Sequence, residues 1–179
     1  MTRRLLALVL CIATLLSLCT GFASAANTVE DALGEVDIYN GGYELAYLSI
    51  NGRVQSQKYT YYNYINAAGQ QKEIPAYCVN PNLYGVPQTV GVGESISYLA
   101  EEKTSDPKVM GIIANGYPTR GLAELKLDNK YQAYYATKMA LWCYLISDWN
   151  INNLKINPSV VRGDAGRAAL KALIAAYLE

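Results

Sequence analysis

The sequence predicts an α+β domain, with an antiparallel β-sheet or β-sandwich in its first half and a helical second half packed over it. Three observations carry this. Between Val36 and Ile65, β-forming residues alternate with Asn- and Gly-containing turn signals, and tyrosine recurs along the runs. From Asp106 the apolar residues switch to a helical period. The stretch Tyr134 to Leu145, YYATKMALWCYL, has the length and composition of a buried helix.

Taken in order, the chain opens with features of a Sec-type signal peptide: Arg3 and Arg4, an apolar run from Leu5 to Leu18, and Ala23-Ser24-Ala25 as a cleavage site. Residues 1–25 are therefore set aside, 26–34 read as a linker, and 35–179 as one module. A bulky Leu18 before Cys19 argues against a lipoprotein signal. Asn40-Gly41-Gly42 is expected to be one turn, and Asn51-Gly52, between LAYLSI and RVQSQ, the tip of a hairpin. KYTYYNYI, residues 58–65, is a strand, and another is expected from Lys72 to Val79 with Cys78 near its end. Residues 80–98 read as irregular, with Pro81, Gly85, Pro87, Gly91 and Gly93 spread through them. Asp106 can cap and Pro107 can start a helix over 107–114, with Asn115-Gly116 as a left-handed end. Residues 119–129 are expected to be a polar connection, 130–147 the long helix, and Asp164 the cap of a last helix running to Glu179. A helix with no stop signal at the chain's end fits a piece of a longer surface protein.

Composition narrows the chemistry. There is no histidine, which excludes Ser-His-Asp and Cys-His catalysis and His-ligated zinc; neither a metal nor any other cofactor is expected, and the domain does not read as an enzyme. Without Arg3 and Arg4, 13 basic residues face 15 acidic ones. This balance gives no electrostatic case for nucleic acid. Nothing after residue 25 is apolar for long enough to insert in a membrane. Cys11 and Cys19 leave with the signal, so Cys78 and Cys143 remain, and in an oxidising compartment two cysteines favour one disulfide. Tyr59, Tyr61, Tyr62 and Tyr64 either coat a sheet or offer an aromatic contact surface.

The long helix contains an anomaly. Helical spacing surrounds Lys138 with Tyr134, Tyr135, Leu141 and Trp142, so an ammonium sits where no solvated face is evident.

Three segments then carry a resemblance: Tyr77-Cys78-Val79-Asn80-Pro81, Ile112 to Pro118 (IIANGYP), and Tyr134 to Trp142 (YYATKMALW). Together they resemble the thioester domains, or TQXA domains, of Gram-positive surface proteins and pilus adhesins. In that family a cysteine near a strand end is joined to a glutamine in a Thr-Gln-x-Ala-(Ile/Leu)-Trp helix motif, and the thioester reacts with amines on host ligands. The resemblance implies that Cys78 is the nucleophile position, that Thr137, Ala140, Leu141 and Trp142 match the motif, and that Tyr77 flanks the site. Lys138 stands where the glutamine belongs. Gln132 is six residues away, about 120° around the helix.

A lysine offers no acyl carbon, so no thioester of the family's type is expected. Lys138 is left with three readings: it snorkels to water, it forms a polar pair with Cys78, or it is covalently linked to Cys78 or to a nearby acid or amide. Cys143 points about 140° from Lys138, which on this fold turns it away from Cys78 and leaves it a small core residue. The chain thus reads as a secreted or cell-wall-displayed adhesin module that binds a host or surface protein ligand, amine-bearing in the family, non-covalently or serves a structural role. The alternatives are a covalent adhesin in which Cys78 reacts with a ligand or with Lys138, and a structural domain with a Cys78–Cys143 disulfide.

Overall fold

A computed structural model of the chain describes residues 34–80, 85–99 and 104–157. The expected signal segment, most of the linker and the helix expected from Asp164 lie outside the described residues. Within them are seven strands: β1 (Glu35–Leu45), β2 (Leu48–Ile50), β3 (Arg53–Val54), β4 (Gln57–Ile65), β5 (Gln71–Pro75), β6 (Ser95–Leu99) and β7 (Leu154–Ile156). Three α-helices stand between β6 and β7, α1 (Pro107–Asn115), α2 (Leu122–Leu125) and α3 (Lys130–Leu145), followed by a 3-10 turn at Ile151–Asn153. All pairings are antiparallel, in a four-stranded sheet of order β5-β4-β1-β6 and a three-stranded sheet of order β3-β2-β7. The class is α+β, as the sequence predicts.

Several local expectations hold for the stated physical reasons. Asn51 and Gly52 take positive φ of 50° and 76° between β2 and β3, the conformation a two-residue hairpin demands. The Asp106 carboxylate accepts from the amides of Lys108 and Val109 at the start of α1, with Pro107 at its first position.

Others are corrected. Asn40-Gly41-Gly42 is not a turn. β1 runs through it, and Asn40 to Glu44 lies opposite Thr60 to Lys58 of β4, four steps against two, so the extra residues form a bulge. A side chain at Gly41 would force a shift, since a Cβ would lie 2.3 Å from Tyr59 Cδ1 and 2.9 Å from the Tyr59 carbonyl oxygen. Gly116 follows α1 with φ −96°, extended rather than left-handed. β5 stops at Pro75, so Cys78 sits three residues past its end. The segment read as irregular contributes β6, the connection after α1 contains α2, and β7 lies beyond the helices. The strands are therefore not confined to the first half.

The core forms where both sheets meet α3. Ten consecutive residues of that helix, Gln132 to Leu141, are buried. They pack with Leu45, Leu48, Tyr59, Ile112 and Leu154. Each large apolar side chain removed from water here contributes about 1.5–3 kcal/mol. Tyr59 is among the fully buried side chains, which takes it out of the aromatic surface considered above. Its ring meets Tyr134 edge-on at 4.9 Å.

A Gly41→Ala variant should lose about 1–3 kcal/mol of stability by forcing Tyr59 and its backbone away from the bulge. Gly85→Ala, which meets nothing within 4 Å, is the control. Equal denaturation midpoints for the two variants would refute the close approach.

Candidate functional site

Tyr134, Lys138 and Trp142 recur every four residues and so form one stripe along α3. That stripe faces the end of β4 and the segment after β5. Tyr134 is fully buried, and its Oη lies 2.9 Å from Thr60 Oγ1 and 3.2 Å from both the Lys58 and Ala76 carbonyl oxygens. Thr60 Oγ1 donates to the Ala76 carbonyl at 2.8 Å. The single Tyr134 proton therefore goes to Thr60 Oγ1, the nearest acceptor, and the phenolic oxygen keeps a lone pair for Lys138. Lys138 Nζ donates to it at 3.4 Å, a long hydrogen bond.

The Lys138 ammonium also lies 5.6 Å from the ring centre of Tyr134 and 5.5 Å from that of Trp142. Such contacts favour a cation. The residue is 5% exposed, so the side chain does not snorkel into open water as one reading had it.

One turn further on, Trp142 Nε1 donates to the Cys78 carbonyl at 2.9 Å, fixing the cysteine's backbone against the helix. Cys78 Sγ in turn donates to the Asn80 carbonyl at 3.2 Å. Tyr77 stacks on Tyr134 at 5.0 Å and donates its hydroxyl to the Tyr117 carbonyl.

These groups enclose a cavity of about 420 Å³, lined by Tyr77, Cys78, Lys138 and Trp142 among others. Of the residues singled out in the sequence, those four come together. Thr137 and Ala140 do not line it. Thr137 works behind the site: its Oγ1 donates to the Ala133 carbonyl at 2.9 Å and accepts from the Tyr117 amide at 3.0 Å. Gly116 leaves room for it, since a Cβ there would lie 2.5 Å from Thr137 Cγ2. Ala140 is fully buried on the far side of the helix, about 160° from Lys138.

Sequence reasoning missed Gln57, Thr60, Val86 and Tyr98, which also line the cavity. Thr60 lies in the strand expected over 58–65 and Gln57 just before it, and the end of β4 that meets α3 carries no local signal. Tyr98 lies on β6, in a segment whose Pro and Gly content predicts irregular structure.

Cys78 and Cys143 are not joined in a disulfide. Trp142 comes between the Cys78 backbone and the helix, while Cys143 packs on the core and burial pushes its thiol up to about 11. Among the described residues no group of acidic, cysteine or histidine side chains is placed to hold a metal ion, and no helix is long and apolar enough to cross a membrane.

A family model for the thioester domain matches residues 75–176, more than half of the chain and all of α1 to α3 with the Cys78 segment. The chain belongs to the thioester-domain family. Its fold is also similar to two solved structures. One is the thioester domain of the Enterococcus faecium TIE86 protein, at TM-score 0.52 and 16% identity, over 81% of this chain and 49% of that one. The other is the Bacillus anthracis TIE protein, at TM-score 0.49 and 25% identity, over 80% of this chain and 24% of that one. The thioester domain described here thus spans about half and a quarter of their lengths. Among curated proteins nothing matches.

Two outcomes follow from the burial of these groups. Replacing Lys138 by the similarly long but apolar Met should stabilise the domain by about 1 kcal/mol or more, because among the described residues the ammonium's desolvation is offset by one long hydrogen bond and ring contacts. A lower melting temperature for Lys138→Met would contradict this. The Cys143 thiol stays neutral in the fold up to about 11, while in the unfolded chain it ionises from 9.0, so its contribution is complete below 9.0 and is lost as pH rises toward about 11. Denaturant titrations across that window should show a smaller alkaline loss for Cys143→Ala than for the natural sequence. An unchanged slope would place the thiol in water.

Proposed function

We propose that this thioester domain is a secreted or cell-surface adhesin module that holds its ligand non-covalently, without an internal thioester. Lys138 takes the acyl-partner position and Cys78 the nucleophile position. The observation that carries the reading is the buried Lys138 ammonium lining one cavity with Cys78.

In the family's reaction a cysteine thiol attacks a glutamine carboxamide, the carbon–nitrogen bond breaks and ammonia leaves. A lysine side chain ends in an amine and offers no carbonyl carbon to the thiol. The site keeps the surrounding architecture: the Trp142 anchor on Cys78, the Thr137 bond to the Tyr117 amide, and the Tyr77 stack on Tyr134. What is left is a shaped cleft beside a thiol, suited to holding a ligand of the wall or the host surface. A structural role within a longer surface protein is the bland form of the same reading.

The test is the intact mass of the mature protein, expected to equal the sum of its residues with both thiols present. Methylamine treatment should add nothing. Lys138→Gln should lose the mass of one ammonia and become reactive to methylamine. Gln57 also lines the cavity and is checked with Gln57→Ala. Ammonia loss in the natural sequence that disappears in Gln57→Ala would overturn the non-covalent reading and make β4 the acyl donor. Absence of ammonia loss in Lys138→Gln, in a variant that folds, would remove Lys138 from the acyl-partner position.

A further inference from the structure

We infer that the cavity under α3 takes a carboxylate carried on an aromatic or other apolar body, with Lys138 as its ion-pair partner; this rests on the reading of the cavity as a non-covalent site. Among the described residues lining it there is no Asp or Glu, although two are lysines. Lys58 stands opposite Glu44 in the β1–β4 pairing, a cross-strand neighbour of opposite charge. Among the described residues lining the cavity, none gives Lys138 a counter-charge. Among the described residues, its three N–H donors make one hydrogen bond, the 3.4 Å contact to Tyr134 Oη.

Lys138 is 5% exposed, whereas Val79 and Tyr98 on the same cavity are 42% and 38% exposed. The charge therefore lies at the closed end and the apolar and aromatic side chains at the open one. A ligand entering past Val79 and Tyr98 would lay its body against Trp142 and Val86 and deliver its anionic end to Lys138. One uncompensated positive charge matches one negative charge. A carboxylate leaves no excess, while a phosphate dianion would bring a second negative charge into an apolar site. An amine-bearing ligand, by contrast, would place two like charges together in a low dielectric.

The probe is benzoate, titrated into the mature protein while the Trp142 indole N–H resonance is followed by NMR, since that group is anchored at the cavity on the Cys78 carbonyl. Benzamide and benzylamine, of the same shape but neutral and cationic, are the comparisons. Benzoate should shift the resonance saturably. Benzamide, benzylamine, and benzoate with Lys138→Met should each bind about tenfold more weakly or worse, a factor equivalent to about 1.4 kcal/mol. A melting curve on Lys138→Met establishes that it is folded. The inference is overturned if benzoate leaves the resonance unmoved, if benzamide binds as well as benzoate, or if Lys138→Met keeps its affinity. Ammonia loss in the starting protein defeats the non-covalent reading whatever the probes do. With intact mass as expected, a failure of benzoate defeats the carboxylate alone.

Discussion

The structure depends on a helix that is buried for ten consecutive residues and must satisfy every polar atom it takes into the core. Lys138 apart, α3 does so by reaching out to its neighbours. Tyr134 ties it to the four-stranded sheet through the Lys58 and Ala76 carbonyls and the Thr60 hydroxyl. Tyr135 ties it to the three-stranded sheet, donating to the Gln55 carbonyl at 2.7 Å and accepting from the Leu48 amide at 3.3 Å. Thr137 holds the end of α1 through the Tyr117 amide, and Trp142 holds the Cys78 carbonyl. Burial pushes the Tyr135 hydroxyl well above its ordinary value, as expected of a phenol kept neutral to serve as donor. Leaving one of these buried partners unsatisfied would cost about 1–3 kcal/mol, comparable to the loss of a large apolar contact.

The site is a by-product of that arrangement. Because the Tyr134 and Trp142 bonds are two turns apart on one stripe, the residue halfway between them faces the gap between β4 and the Cys78 segment. Whatever stands at position 138 is enclosed by the same two rings that hold the sheet and the cysteine in place. The site is thus positioned by helix geometry, and its chemistry is set by one side chain. Substitution at 138 can change what the cavity does while leaving the framework intact.

Much of this was legible in the sequence where the signal is local. The Asn51-Gly52 hairpin and the Asp106-Pro107 start of α1 follow from the backbone conformations those residues favour. The placement of Cys78, Tyr77, Lys138 and Trp142 around one cavity follows from helical spacing together with the family motifs. What escaped is what tertiary contacts decide. Asn40-Gly41-Gly42 has turn composition, but Asn40 is held inside the sheet by its side-chain bond to the Val90 carbonyl at 2.8 Å, and the glycines absorb the close approach of Tyr59. β6 is an edge strand with Leu99 and Tyr98 exposed, so it shows no buried alternation. β7 has three residues and exists because Leu48 to Ile50 leaves an edge for it to pair with. Gln57 and Thr60 carry no motif, since they reach the site only by the register of β4.

The same enclosure would treat a glutamine and a lysine at position 138 in opposite ways. A carboxamide beside a thiol can discharge its polarity by condensation, after which the bond is neutral and its burial costs little. An ammonium has no such exit. The Tyr134 hydroxyl answers one of its three donors, and the rings of Tyr134 and Trp142 supply a weak counter-field. The desolvation that remains is a standing cost to the folded state, and it is also the term that an entering anion would relieve. The instability expected at Lys138 and the proposed selectivity for a carboxylate are therefore two consequences of one buried charge, and a side chain that removed the first would remove the second.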